Sequence, residues 1–228
     1  MHRWIWDLRY ASPASTQHEY PIAAVPHGTP RYPLGPLALP GAYTVRLTTN
    51  GRSYAAPLTV KMDPRVKASA SDLQKQLALE MQLATAMTRS SQALSQTRSV
   101  REQLEKLAKN ATGPLRDSVE ALEQEISAIL GGPPDSAVSV SQEPALVAGD
   151  STVTSLYKEV EKADVAPTVA QEEAFTRVES ELGAAIKRWD GVKASELPAL
   201  NQKLRGAGLP ELRLDLPPQQ QAGGEDEE

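Results

Sequence analysis

At 228 residues, with a formal net charge of −5 and no cysteine, the chain is long enough to bury a core without cross-links, and disulfides, thiolate catalysis and cysteine-ligated metal centres are excluded. Most of the negative charge is the final Glu225, Asp226, Glu227 and Glu228, so the remainder is near neutral and lacks the basic face that nucleic acid demands. No stretch approaches the ~20 apolar residues of a membrane span, and the first residues hold no apolar run of signal-peptide length, so no membrane insertion is expected.

In residues 4–10, Trp4, Trp6, Leu8 and Tyr10 alternate with Ile5, Asp7 and Arg9. A period of two predicts a strand with an aromatic row on one face. At that spacing the row reads as sheet core rather than as a stacking platform for sugars. Residues 11–40 are dense in proline, which fixes φ and removes ladder donors, so a loop with one short edge strand near 20–25 is expected. Residues 42–49 and 52–62 flank Asn50-Gly51, the pair that best tolerates positive φ at both centres of a type I′ turn. The turn sets the register: Leu47 opposite Tyr54, Val45 opposite Ala56 and Tyr43 opposite Leu58, all on one face. Trp4, Trp6, Asp7, Arg9, Tyr43, Asn50 and Gly51 are therefore the structural residues of a β domain over 1–64. So thin a sheet is expected to lack strands that precede it.

Seven of the ten aromatic residues lie before residue 64, and this shift in composition places a boundary near Asp63-Pro64. Beyond it, residues 69–109 contain neither Gly nor Pro, which predicts a helix roughly 60 Å long. Leu73, Leu77, Ala84, Met87, Leu94, Val100, Leu104 and Leu107 form its apolar stripe, and Ser69 with Asp72 caps it. Pro114 suits the first turn of a second helix, 114–130, whose Leu115, Val119, Leu122, Ile126 and Ile129 repeat at seam spacing. The run 131–150 reads as surface loop. A third helix is expected over 152–163, with Val153, Leu156, Tyr157 and Val160 inward. A fourth covers 168–190, capped by Thr168 and Gln171 behind Pro167 and carrying Trp189 inward until Asp190-Gly191 stops it. A short helix, 195–205, follows. Residues 215–228 have nothing to bury and are expected to be disordered. The fold class is α+β: an incomplete antiparallel β-sandwich followed, over 65–214, by an antiparallel four-helix bundle with one long helix.

Chemistry is sparse. His2, His18 and His27 show no metal-type pairing. Glu120, Glu123 and Glu125, like Glu172, Glu173, Glu179 and Glu181, read as solvated helix faces rather than a paired acid and base. No nucleophile elbow and no phosphate loop is present. No catalytic, cofactor-binding or metal residue is assigned.

Three segments, Trp4-Ile5-Trp6-Asp7-Leu8-Arg9-Tyr10, Leu39-Pro40-Gly41-Ala42-Tyr43-Thr44-Val45-Arg46-Leu47 and Leu58-Thr59-Val60-Lys61-Met62-Asp63-Pro64-Arg65, resemble the C-terminal region of large bacterial proteins with a sortilin-like BNR-repeat β-propeller, often labelled glycosyl hydrolases. Ala163-Asp164-Val165-Ala166-Pro167-Thr168 and Leu197-Pro198-Ala199-Leu200-Asn201-Gln202-Lys203-Leu204 resemble the same region. The first half is also similar to the Ig-like module of flagellar hook-capping proteins. The resemblance implies an Ig-like β domain, a propeller preceding residue 1 and a periplasmic or extracellular parent protein. Any catalysis by that propeller is carried over to no residue here. The compartment of the chain as written stays open.

The expected function is thus a non-catalytic accessory or interaction module of an exported propeller protein, with the upstream propeller or another protein as partner. Two alternatives come from other classes. One is a coiled-coil protein that self-associates into homo-oligomers through the long helix. The other is an enzymatic role, either as part of a glycoside hydrolase whose active site lies in the upstream propeller or through carboxylates of the helices themselves, which would need two acids with raised pKa in one closed pocket.

Overall fold

A computed structural model describes residues 4–16, 32–132 and 144–214. It is α+β, and about 59% of the described residues are helical. Two antiparallel strands, β1 Gly41–Thr49 and β2 Arg52–Val60, precede helices α1 Ala70–Ala108, α2 Pro114–Leu130, α3 Leu146–Glu161, α4 Val169–Gly191 and α5 Leu197–Gly206. Two compact units divide the chain: residues 1–86 with 154–175, and residues 87–153 with 176–228. The three histidines that sequence reading weighed as ligands, the edge strand expected near 20–25, most of the loop after α2 and the acidic tail lie outside the described residues.

In the first unit the hairpin forms as its turn dictates. Asn50 and Gly51 take φ of 48° and 75°, and the register Leu47↔Tyr54, Val45↔Ala56, Tyr43↔Leu58 runs unbroken to Gly41↔Val60. In a two-residue hairpin the pair flanking the turn exchanges both hydrogen bonds and every second pair repeats this. The N–H groups of Thr44, Arg46 and Thr48 on β1, and of Ser53 and Ala55 on β2, therefore point outward. Pro57, opposite Thr44, occupies an outward position, so it costs no ladder bond and removes one donor from the outer edge of β2.

The strand expected over 4–10 is not formed. Leu8 has φ of 63°, a left-handed conformation that breaks the alternation after Asp7. An Asx turn sets it, Asp7 Oδ1 accepting from the Arg9 N–H at 3.0 Å. Only Arg9 bridges to another segment, opposite Leu37. The Tyr10 N–H donates to Pro36 O at 2.9 Å and the Ala38 N–H to Leu8 O at 2.7 Å. The aromatic row splits accordingly: Trp4 is 77% exposed, whereas the Trp6 ring stands edge-on to Tyr43 at 5.7 Å and its indole N–H donates to Arg9 O at 2.9 Å.

At the junction to α1, Asp63 Oδ1 accepts from the Arg65 N–H at 2.9 Å while its side chain grips the guanidinium. The helix then starts on the expected box. The Asp72 N–H donates to Ser69 Oγ at 3.1 Å, and Asp72 Oδ2 takes the Ser69 N–H at 3.1 Å. The Ser69 hydroxyl, which donates to Asp72 Oδ2 at 2.7 Å, and then the Ser69 N–H hold the Asp72 carboxyl below its ordinary value. Along α1 the buried positions other than Ser91 fall into three seven-residue rows: Leu73, Glu80, Met87, Leu94; Gln76, Leu83, Ser90, Thr97, Leu104; and Leu79, Ala86, Ala93, Val100, Leu107. That is a heptad pattern with polar members. Thr97 returns its hydroxyl to Ala93 O at 2.6 Å, and Ser90 Oγ donates to the Asp150 carboxylate.

In the second unit α2 begins at Pro114 and ends on Gly131, φ 119°, whose N–H closes on Ser127 O. Helix α3 starts six residues earlier than expected, at Leu146. Gly149, read as loop, lies inside it. A Cβ there would meet Leu182 Cδ1 at 2.7 Å, so glycine serves close packing at this point rather than chain flexibility. Nor does Gly191 stop α4. It is helical, with φ of −59°, and a π turn, Val192–Glu196, carries the chain into α5, the Leu197 N–H donating to Val192 O. Pro198 has no N–H and would clash with the carbonyl four residues back in a regular helix; the wider turn accommodates it. Beyond α5 two side-chain amides clasp the backbone: Asn201 brackets Leu212 at 2.8 and 3.0 Å, and Gln103 brackets Arg213 at 2.9 Å on both sides.

Within the π turn the Glu196 carboxyl hydrogen-bonds that of Glu125, which, with burial and the neighbouring charge, pushes it from 4.5 up to about 7. A raised acid adds stability below its unfolded value and loses it as pH climbs through the folded one. Replacing Glu196 by Gln keeps a donor toward Glu125 at every pH. The variant is therefore expected to gain on the parent by about 1 kcal/mol as pH rises from 4.5 to 7.5, solvent screening limiting the effect. Urea melts at the two ends of that range check it, and parallel curves would refute the shared proton.

Candidate functional site

Two features of the first unit stand out as candidates. The first is the hairpin face. Tyr43 is half-buried under Trp6, and its hydroxyl donates to Leu39 O at 2.7 Å. Further along the same face Val45, Leu47 and Tyr54 are 44%, 62% and 55% exposed. Among the described residues the sheet has two strands, so both outer edges are unpaired. A lone hairpin is marginal in water, and an apolar row on one face, beside an edge with outward-pointing N–H groups, is chemistry suited to receiving another strand or surface.

The second is a cavity of about 190 Å³ between the hairpin base and the first half of α1. One side is apolar, formed by Leu8, Leu37, Val60, Met62, Leu73 and Leu77; Glu80, Gln76, Glu161 and Asp164 line the other. The Gln76 amide is aimed by its surroundings: Nε2 donates to Val160 O at 3.1 Å, Ala163 O at 3.0 Å and Glu80 Oε1 at 2.9 Å. Desolvation, chiefly, raises the Glu80 carboxyl above its ordinary value; the Gln76 bond opposes it. Glu161 is engaged elsewhere, taking Arg9 Nη1 at 2.6 Å, and the same nitrogen donates to Gly35 O at 2.7 Å. Beneath them the fully buried Tyr157 donates its hydroxyl to Leu34 O at 2.7 Å. Burial, then the Glu161 and Glu80 charges, push that phenol well above its usual range.

Of the residues assigned structural roles, Trp6, Asp7, Arg9 and Tyr43 gather in this unit, and Asn50 and Gly51 make the turn. Trp4 stands apart and exposed. Pro167 precedes the Thr168–Gln171 capping box, whose bonds of 2.9 and 3.3 Å open α4. Trp189 is fully buried in the second unit, its indole N–H donating to Gln96 Oε1 at 3.1 Å. Sequence reasoning passed over Gln76, Glu80 and Glu161. The signal for the first two was their i, i+4 spacing inside the α1 stripe. Nothing in the sequence linked Arg9 to a residue 152 positions away.

Among the described residues no group of three His, Cys, Asp or Glu side chains is placed to hold a metal ion, and no helix is long and apolar enough to cross a membrane. Compared with family models, curated proteins and solved structures, the chain matches none of them.

Proposed function

We propose that this chain is a non-catalytic accessory module that docks, through its hairpin, onto a β-propeller preceding it in an exported bacterial protein, periplasmic or extracellular in its full-length form. In this reading β1 and β2 are part of an Ig-like sandwich whose other strands come from the preceding region, and the helices form an antiparallel four-helix bundle that braces it. The observation that carries the proposal is the bare apolar row Val45, Leu47 and Tyr54 on a sheet of two strands. Pro57 blunts the edge of β2, which leaves β1 as the edge for strand addition.

Two further features support a binding role over the alternatives. Leu83, Met87, Leu94, Val100 and Leu104 of α1 are at most 1% exposed within the single chain, so the stripe that a coiled-coil oligomer would use is already covered. In the cavity, Glu161 is ion-paired with Arg9, so it is not a free acid or base of the kind glycoside hydrolysis needs.

The test starts upstream of the Met1 codon in the source DNA, and co-expresses the propeller segment of that frame with the chain. Capture of the two together, slowed amide exchange at Thr44, Arg46 and Thr48, and loss of both effects with Leu47→Asp are the expected results. A stop codon and ribosome-binding site just ahead of Met1, or capture indifferent to Leu47→Asp, would overturn the proposal.

A further inference from the structure

We propose that the cavity beside α1 is a binding site for a primary alkylammonium, its charged end on Glu80 and its carbon chain along the apolar wall. The proposal is independent of the docking reading above. Glu80 is 4% exposed and lines the cavity. Its Oε1 accepts from Gln76, and among the described residues its other oxygen has no hydrogen-bond or ion-pair partner. That oxygen is not sealed from solvent; it opens onto the cavity, where an incoming donor can reach it.

Several features narrow the donor. The surrounding charge is negative: Glu161 and Asp164 act on Glu80 together with the single guanidinium of Arg9, and Arg9 is bound to Glu161 and Gly35 O. Of the other charged groups lining the cavity, Asp63 is paired with Arg65, and Lys61 is exposed at the rim. A cation is therefore favoured over a neutral or anionic ligand. A guanidinium binds best with both carboxylate oxygens, one of which Gln76 has taken, whereas an ammonium is a point charge that needs one. Leu8, Val60, Met62, Leu73 and Leu77 supply an apolar side, and a volume of about 190 Å³ exceeds the ~150 Å³ that suffices for benzene. An amine of four to six carbons fits that space.

The probe is pentylammonium chloride, titrated into the full chain and followed by amide chemical shifts, with pentanol as the neutral control of equal length. Saturable shifts at Leu73, Gln76 and Glu80, at least tenfold weaker binding of pentanol, and at least tenfold weaker pentylammonium binding by Glu80→Gln are expected. Glu80→Gln retains the acceptor for Gln76, and its melting temperature shows whether the fold is kept. A second variant, Leu77→Asn, is expected to weaken the amine by shortening the apolar wall. Two arms distinguish the source: Nα-acetyl-lysine methylamide binding more tightly than pentylammonium would mark a lysine side chain of a protein, and the reverse order a free amine. Equal binding of pentanol, an affinity unchanged in Glu80→Gln, or no shifts at tens of millimolar would overturn the proposal.

Discussion

Replacing Gly35 with alanine is expected to destabilise the first unit by about 3 kcal/mol, the upper end of what overpacking costs. A Cβ at this position would stand 1.9 Å from Tyr10 O, 2.7 Å from Tyr10 C and 2.8 Å from Ala11 O. All three are backbone atoms, so no rotamer change can relieve the contact and one of the two segments must move. Moving either one strains the same cluster: Gly35 O accepts from Arg9 Nη1, the Tyr10 N–H donates to Pro36 O, and Arg9 holds Glu161. Gly41→Ala is the control, since its Cβ would meet nothing closer than Tyr43 Cε2 at 3.9 Å. Denaturant melts of the two variants decide it, and equal midpoints would show that the two backbone segments separate freely.

Trp189→Ala is expected to cost about 3 to 5 kcal/mol, as truncation of a fully buried aromatic does. Trp189 is 0% exposed, so the variant leaves a cavity in the core of the second unit and strands the acceptor on Gln96. The Lys193 ammonium, 5.8 Å from the ring centroid, loses its cation–π contact as well, worth about 0.5 to 1 kcal/mol at a partly exposed site. Trp189→Phe separates these parts. It keeps most of the volume and drops chiefly the indole donor, so a loss of about 1 to 2 kcal/mol is expected. In urea the signature of a cavity is a lower midpoint at unchanged slope. An unfolding free energy for Trp189→Ala within about 0.5 kcal/mol of the parent would mean that the core closes over the gap.

What the sequence determined by itself is what short-range chemistry controls. Asn50-Gly51 sets a turn whose geometry propagates through the period-two pattern to every pair of the hairpin. Ser69 with Asp72, and Thr168 with Gln171, close their own helix starts, and Pro114 and Gly131 bound α2. Each of these is decided by residues within about four positions of one another, where a local hydrogen bond or a single φ preference outweighs anything distant. The length of α1 was legible for the same reason, in the absence of any residue to break it.

Only the tertiary structure decided the rest. Alternation over residues 4–10 argues for a strand, yet the Asx turn of Asp7 sets Leu8 at positive φ, the bonds from Tyr10 N–H to Pro36 O and from Ala38 N–H to Leu8 O hold it there, and the gain from those contacts exceeds a local preference worth about 1 kcal/mol. Gly149 falls in a run that reads as loop for its prolines and serines, and Gly191 reads as a helix stop because glycine is weak in isolated helices. In the folded chain Gly149 makes room for Leu182, and Gly191 lies within a helical path that a π turn carries past Pro198. The polar members of the α1 heptads, Gln76, Glu80, Ser90 and Thr97, are invisible to a hydrophobic pattern because their burial depends on partners such as Val160 O, Ala163 O and Asp150, which only folding brings near. Arg9 and Glu161 meet across 152 residues, and no local rule reaches that far; their pairing, and the buried carboxylate of Glu80 beside it, exist only in three dimensions.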